Sequence, residues 1–331
     1  MQEETPEIQP IFDNRIDLSD FRVAVDQIRD EIGSLIVGQE DMIDLIIAAI
    51  MSHGHILLEG VPGVAKTLAA KLIAQSLDIP FSRIQFTPDL MPSDVLGTSV
   101  FNPQKSSFEF KRGPIFSQVI LIDEINRAPA KTQAALFEVM AEKQITVDGI
   151  TYPMEAPFLV IATQNPIEQE GTYRLPEAQL DRFLFKIHIP YPNLEEEIEI
   201  LNRVQLHKGK LDSATIRPVL AREQILQYQE QVASLHVKEE ILKYMASIVH
   251  QTRNHKEIFL GASPRASISL LKASKAIASM QGRDFVIPED VQQVANAVLR
   301  HRIIITPERE MEGATPDEVV KGIVEQIDVP R

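Results

Sequence analysis

The sequence predicts an α/β protein, a three-layer parallel sheet followed by an all-helical second domain. Three observations carry that expectation. The stretch His55–Thr67, HILLEGVPGVAKT, passes from a short apolar run through a tight glycine-containing loop into the helix-forming LAAKLIAQSL. From Ile56 to about Pro190, apolar β-rich runs alternate with helical stretches: HILLEG, LAAKLIAQSL, FSRIQF, QVILIDEI, KTQAALFEVMAEK, FLVIATQ and FLFKIHI. Past Pro192 the periodic segments all place apolar residues three and four apart.

The elements are taken in chain order. Residues 1–20, with two prolines and scattered acids, are expected to be a flexible leader. FRVAVDQIRDEIGSLIVG has Phe21, Val25, Ile28 and Ile32 at helical spacing, and VGQEDMIDLIIAAIMSH reads as a second helix from about Gln39. KQITVDGITYPMEAPF predicts a hairpin turning at Asp148-Gly149. NLEEEIEILNRVQL opens with Asn193 as N-cap and Glu196 three residues on, a capping-box arrangement. REQILQYQEQVASL, EEILKYMASIVHQT, SPRASISLLKASKAIASM, PEDVQQVANAVLR and PDEVVKGIVEQI follow as helices. The expected division is a leader at 1–20, an α/β core at 21–192 and a helical domain at 193–331, hinged at YPN.

Composition narrows the class. The chain has 331 residues, 44% hydrophobic and 24% charged, which suits a globular protein. No apolar run approaches a membrane span, and the acidic N-terminus is unlike a signal peptide. The chain has no cysteine, which excludes disulfides and thiolate metal sites and fits a reducing cytoplasm. A net charge of −14 opposes nonspecific nucleic-acid binding over the whole surface.

The loop Gly60, Val61, Pro62, Gly63, Val64, Ala65, Lys66 and Thr67 reads as a phosphate-binding loop of the Walker A type. Gly60 and Gly63 let the backbone turn and aim N–H groups at phosphate oxygens. The helix starting near Lys66 adds the positive end of its dipole, and Thr67 offers a hydroxyl to Mg²⁺. Ala65 replaces the second consensus glycine, a change expected to be tolerated if φ there is negative.

QVILIDEINRAP ends an apolar strand in Asp123-Glu124, at the strand end where open α/β sheets bind ligands. Asp123 can hold the Mg²⁺ water shell, and Glu124 can polarise a water for attack on a γ-phosphate. FLVIATQNP ends a further strand at Asn165, whose amide can orient that water. His53 and His55 lack further ligands at metal spacing and are expected to be structural.

At these motifs the chain resembles the MoxR family of AAA+ ATPases, in the clade with an insert in the second helix. GVPGVAKT resembles that family's Walker A, including Ala at position 65. LIDEINRAPAKTQAALFEVMAEKQITVDG is similar to its Walker B strand and helix, ATQNP to its sensor 1, LPEAQLDRFLFK to its arginine-bearing segment and GASPRAS to its sensor 2. The resemblance runs from about residue 21 to near the C-terminus.

The resemblance implies a P-loop core with a helical lid, ATP/ADP and Mg²⁺ as ligands, and ATP-driven, chaperone-like remodelling of protein complexes in a cytoplasmic homo-oligomeric ring, hexameric by analogy. It implies partners that include proteins with von Willebrand factor A domains. Arg182 would be the finger reaching a neighbour's γ-phosphate, with Arg174 and Arg127 as competitors. Arg265 would be sensor 2, carried by the lid onto the nucleotide; Ser263 as N-cap and Pro264 at the first helical position place that cation at a helix N-terminus, where a nearby phosphate would suit it. Val37-Gly38-Gln39 resembles the adenine-side segment. QFTPDLMPSDVLGTSVFNPQKSSFEFKRGPIF resembles the inserted hairpin, leaving Lys105, Lys111 and Arg112 either near substrate or simply solvated. An ATP-gated binding module, a nucleic-acid motor and a metal-chelatase-type motor subunit are the competing function classes.

Overall fold

The computed structural model describes residues 15–61, 63–166, 172–173, 175–206 and 216–330. Residues 1–14 of the expected leader, Pro62 and Arg174 lie outside the described residues. The end of the leader is already packed: Leu18 is buried and Ile16 rests against the same apolar cluster. Helix α1 (Ser19–Gly33) buries Phe21, Val25, Ile28 and Ile32, the four periodic positions. Helix α2 (Glu40–Met51) starts one residue later than expected, because Gln39 adopts φ 64 and acts as its N-cap.

The alternating region follows as β1 (Ile56–Gly60), α3 (Lys66–Ser76), β2 (Phe81–Gln85), α4 (Pro92–Leu96), β3 (Gly97–Asn102), β4 (Ser107–Arg112), β5 (Val119–Asp123), α5 (Ala130–Glu142), β6 (Gln144–Val147), β7 (Ile150–Pro153), β8 (Leu159–Gln164), α6 (Glu177–Leu180) and β9 (Phe185–Ile189). Five strands form one parallel sheet in the order β2-β5-β8-β1-β9. Both faces are covered, so every residue of β1 and β5 is buried and the two strands open on the apolar runs Ile56–Leu58 and Val119–Ile122. Alternate residues face opposite layers. Ile56, Leu58, Leu121 and Ile161 join the cluster with α1, α2 and α3; Leu57, Ile122, Val160 and Ala162 join one with Phe137 and Met140 of α5. The chain leaves β1 for the far edge and returns through β5 and β8 to lie beside β1, so the switch in strand order falls at β8/β1.

Two antiparallel hairpins stand outside the sheet. The inserted hairpin β3–β4 pairs Phe101 with Phe108, both exposed, at an edge-on ring distance of 5.4 Å. In β6–β7 the turn is made by Asp148 (φ 51) and Gly149 (φ 77), the left-handed pair that an Asp-Gly turn requires. Phe110 stacks on Tyr152 at 4.7 Å, Phe116 lies edge-on to both, and Ser99 donates a hydrogen bond to Asp148, so the hairpins are fastened together.

After Ile189 the described chain is helical save two short strands: α7 (Leu194–Leu206), α8 (Arg222–Ser234), α9 (Glu239–Asn254), β10 (Ile258–Leu260), α10 (Pro264–Met280), α11 (Pro288–Leu299), β11 (Ile304–Ile305), α12 (Pro307–Met311) and α13 (Pro316–Gln326). The expected capping box closes α7: Asn193 N–H donates to Glu196 Oε2 at 2.8 Å, and Glu196 N–H donates to Asn193 Oδ1 at 2.9 Å. Yet α7 buries none of its residues, and its apolar positions Leu194, Ile198 and Leu201 are exposed. The other long helices share one apolar cluster with α1–α3, through Ile225, Ile248, Leu270, Val294 and Ile323. This continuous core fixes the later helices against one face of the sheet.

Candidate functional site: a phosphate cleft and an arginine cleft

The loop between β1 and α3 is held by close packing at its start. A Cβ on Gly60 would stand 2.9 Å from the Ile189 carbonyl, so only glycine lets β1 turn beside β9. Val64 is buried under the loop, and Val61 packs against the main apolar cluster. Gly63 has φ +91, which favours glycine. Ala65 has φ 59, which corrects the expected negative value. The loop must still be turning at the residue before α3, so the methyl is accommodated in the left-handed region at a cost of about 1–2 kcal/mol. The Lys66 ammonium donates to the Gly60 carbonyl at 2.6 Å and so folds back over the loop.

Two neighbouring strands complete the cleft. Asp123, at the end of β5, is buried; it accepts from the Thr163 hydroxyl at 3.1 Å and pairs with Arg83 Nε at 2.6 Å. Glu124 turns out of the strand with φ 56, its N–H donating to Thr163 Oγ1 at 3.0 Å. Its carboxylate accepts from Gln85 Nε2 at 2.7 Å and pairs with Arg127 Nε at 3.0 Å. Asn165, just past β8, is buried. Lys66, Thr67, Asp123, Glu124 and Asn165 line one cavity of about 390 Å³ at the carboxyl ends of β1, β5 and β8, beside the switch in strand order. Thr67 and Asp123 supply hard oxygen donors, and Asp123 already balances a cation in Arg83, so this pair suits Mg²⁺.

Sequence reasoning missed Arg83, Gln85 and Thr163. The first two share a face of β2 at period 2, but only the pairing of β2 with β5 brings them to Asp123 and Glu124. Thr163 lies in the strand before Asn165, and its hydroxyl joins Asp123 to the backbone of Glu124.

On the far side of the phosphate loop, Gln39 Nε2 donates to the Pro190 carbonyl at 3.4 Å. Gly38, at φ 67, lies against the Glu196 carboxylate. Val37-Gly38-Gln39 is thus placed near the residue that follows Ile189, whose carbonyl abuts Gly60.

The arginines lie elsewhere. Arg182 and Arg265 line a second cavity of about 340 Å³ with Asp181, Lys272 and Arg302, and neither lines the phosphate cleft. Arg182 Nη1 donates to the Phe137 carbonyl at 2.9 Å, and Arg265 stands 3.8 Å from Asp181. In this structure Arg265 therefore stands apart from its own chain's phosphate cleft. Ser263, the N-cap of α10, donates to Asp181 Oδ2 at 3.1 Å, which ties the start of α10 to the Arg182 loop. Arg127 stays with Glu124 of its own cleft. Lys105 pairs with Glu109, Arg112 lies over the Phe116 ring, and Lys111 is exposed on β4; none lines the phosphate cleft.

His55 is a core residue, as expected. Val160 N–H donates to its Nδ1 at 3.0 Å and its Nε2 faces the Met140 carbonyl at 3.2 Å, which sets the Nε2–H tautomer. Burial pushes its pKa down to about 4, so it is neutral at pH 7. Among the described residues no group of three or more His, Cys, Asp or Glu is placed to hold a metal, and no helix is long and apolar enough to cross a membrane.

Sheet order, phosphate loop and strand-end carboxylates together define the AAA+ class of ATPases. The chain matches the ATPase family associated with various cellular activities over residues 55–185 and an AAA lid domain over residues 250–323. It is 42% identical to Chaperone MoxR1 of Mycobacterium tuberculosis, over 91% of this chain and 81% of that protein. It is 45% identical to the uncharacterized protein YeaC of Bacillus subtilis, over 91% and 93% of the two chains. The crystal structure of a candidate ATPase from Cytophaga hutchinsonii superposes with a TM-score of 0.87 at 43% identity, covering 95% of this chain and 97% of that one. The chain belongs to the MoxR family of AAA+ ATPases.

Proposed function

We propose that the protein is a Mg²⁺-dependent ATPase that works as a homo-oligomeric ring and remodels, assembles or activates protein complexes. The observation that carries the reading is the convergence of Lys66, Thr67, Asp123, Glu124 and Asn165 in one cleft. Loop N–H groups and Lys66 hold the phosphates of ATP. Thr67 and Asp123 would hold Mg²⁺, which would neutralise phosphate charge when bound. Glu124 takes a proton from the attacking water, and Asn165 orients that water. Gln85 and Arg127 hold the Glu124 carboxylate in the conformation described, so they must yield it before it serves as base.

Beyond Lys66 and Arg83, which line this cleft, charge on the transferring phosphoryl group is stabilised by a cation delivered from outside it. Arg182 and Arg265 share a different cleft, which supports their delivery to the nucleotide of a neighbouring subunit. The division into a core at 21–192 and a lid at 193–331 belongs to the same reading, as does a cytoplasmic location. The relative named a chaperone supports a protein client. An adaptor or client with a von Willebrand factor A domain is the proposed partner class.

Glu124→Gln tests the reading. The variant should bind ATP as the parent does while turnover drops by about 10²–10⁴-fold; undiminished turnover would remove Glu124 as the base. The same variant, stalled with ATP, should retain its client in an affinity pull-down only when ATP is present. Recovery of its own subunits alone would remove the support for a stable client.

A further inference from the structure

We propose that Arg302 is a positioning residue that sets Arg182 and Arg265 as one unit facing the neighbouring subunit's nucleotide. The inference rests on the reading that these two arginines act on a neighbour. Arg302 follows α11 and is buried, yet it carries a guanidinium with five N–H donors. Nε donates to Asp181 Oδ1 at 2.8 Å. Nη2 donates to the Phe183 carbonyl at 2.6 Å and to Ser269 Oγ of α10 at 3.1 Å. Nη1 donates to the Leu184 carbonyl at 3.2 Å and to the Val298 carbonyl of α11. One side chain therefore joins α10, α11 and the loop from Asp181 to Leu184.

The placement of these bonds is specific. Arg302 holds the residues on both sides of Arg182, Asp181 and Phe183, and His301 Nε2 adds a contact to the Phe183 carbonyl at 3.1 Å. Asp181 then divides its oxygens. Oδ1 takes Arg302, while Oδ2 takes the Ser263 hydroxyl at 3.1 Å, and the Arg265 N–H donates to that same hydroxyl at 3.2 Å. The backbones of Arg182 and Arg265 are thus linked through Asp181 and Arg302, although the two arginines are far apart in sequence.

A scaffold requirement alone is a poor explanation for this arrangement. Burial disfavours the charged guanidinium, and the Asp181 carboxylate opposes that effect. Apolar residues fill such junctions without desolvating a charge. What a planar fork adds is fixed direction toward several acceptors at once. A flanking backbone that drifts by about 1 Å is enough to lower turnover on the order of 100-fold when the displaced group must meet a transferring phosphate.

The test uses the full chain and mixed rings. Arg302→Met is assayed alone and then in equimolar mixture with Glu124→Gln; Arg182→Ala is taken through the same two steps. Alone, folded Arg302→Met should turn over on the order of 100-fold more slowly, with ATP affinity unchanged. In the mixture about one site in four should pair an intact base with an intact arginine face across a heterologous interface, and activity should return to that share. A fold or nucleotide-site defect in Arg302→Met would not be rescued, because that subunit must supply the working base. Asp181→Ala, which leaves Arg302 in place, runs the same series should Arg302→Met not fold.

Rescue of Arg182→Ala without rescue of Arg302→Met or Asp181→Ala overturns the positioning role while the neighbour-arginine reading stands. Full activity of Arg302→Met alone also overturns it. Failure of Arg182→Ala either to lose activity or to be rescued overturns the neighbour-arginine reading, and the positioning role with it.

Discussion

The phosphate cleft and the arginine cleft are built by different rules. In the first, each working residue follows directly from a strand end, so Gly60–Thr67, Asp123-Glu124 and Asn165 are short local motifs. In the second, Asp181, Arg182, Ser263, Arg265 and Arg302 come from separate stretches and meet through a network centred on one carboxylate. A site that surrounds a phosphate can be assembled by backbone geometry. A face assembled from separate stretches needs its side chains fixed by the remainder of the fold.

This contrast is broken or sharpened most by two substitutions with opposite signatures. Arg182→Ala should reduce turnover by about 10³-fold or more while ATP affinity barely moves. Parallel ATPase and calorimetric titrations check it, and unchanged turnover would remove Arg182 as the neighbour's finger. Lys66→Ala should do the reverse at the first step, weakening ATP binding by about 2–5 kcal/mol, since removal of one member of a desolvated charge pair leaves the other unpaired. Retained affinity in calorimetry would contradict the loop assignment.

Smaller effects come from the frame between the clefts. His55 has a folded-state pKa of about 4 against an ordinary value of 6.5, so below pH 6.5 the unfolded chain binds a proton that the folded chain excludes. Its contribution is present above pH 6.5 and is lost as pH falls toward 4, about 3 kcal/mol in all. His301, also buried and lowered, acts with the same sign. Urea denaturation of the parent and of His55→Gln across this range should show a shallower pH slope in the variant. Ala65→Gly should give the smallest change, a gain of about 0.5–1 kcal/mol from relief of a left-handed backbone, offset in part by unfolded-state entropy. A loss of melting temperature would show that the methyl is stabilised by contacts the strain argument omits.

Much of the fold was legible because the parallel strands are continuous apolar runs and the helices carry clear periodicity. Phe21, Val25, Ile28 and Ile32 were all readable and all are buried. The phosphate cleft was readable for the same reason that it is local. Arg83 and Gln85 were not, since their role depends on β2 lying beside β5, and strand order is not encoded in any one segment. The cavity that Arg265 lines was not legible either, because a helix N-cap shows where a cation sits in a helix, not which cleft it faces. The left-handed φ of Ala65 was not legible, because α3 starts at Lys66 as expected while the residue before it is still turning.

The aromatic trio of Phe110, Phe116 and Tyr152 has a consequence for observing the molecule at work. The hairpins it joins are separate in sequence, and the ring contacts hold β4 and β7 side by side. The chain contains no tryptophan. Tyr152→Trp would therefore install a lone indole in the seam between the two hairpins, and its emission would report whether they part when nucleotide is added, without any attached dye.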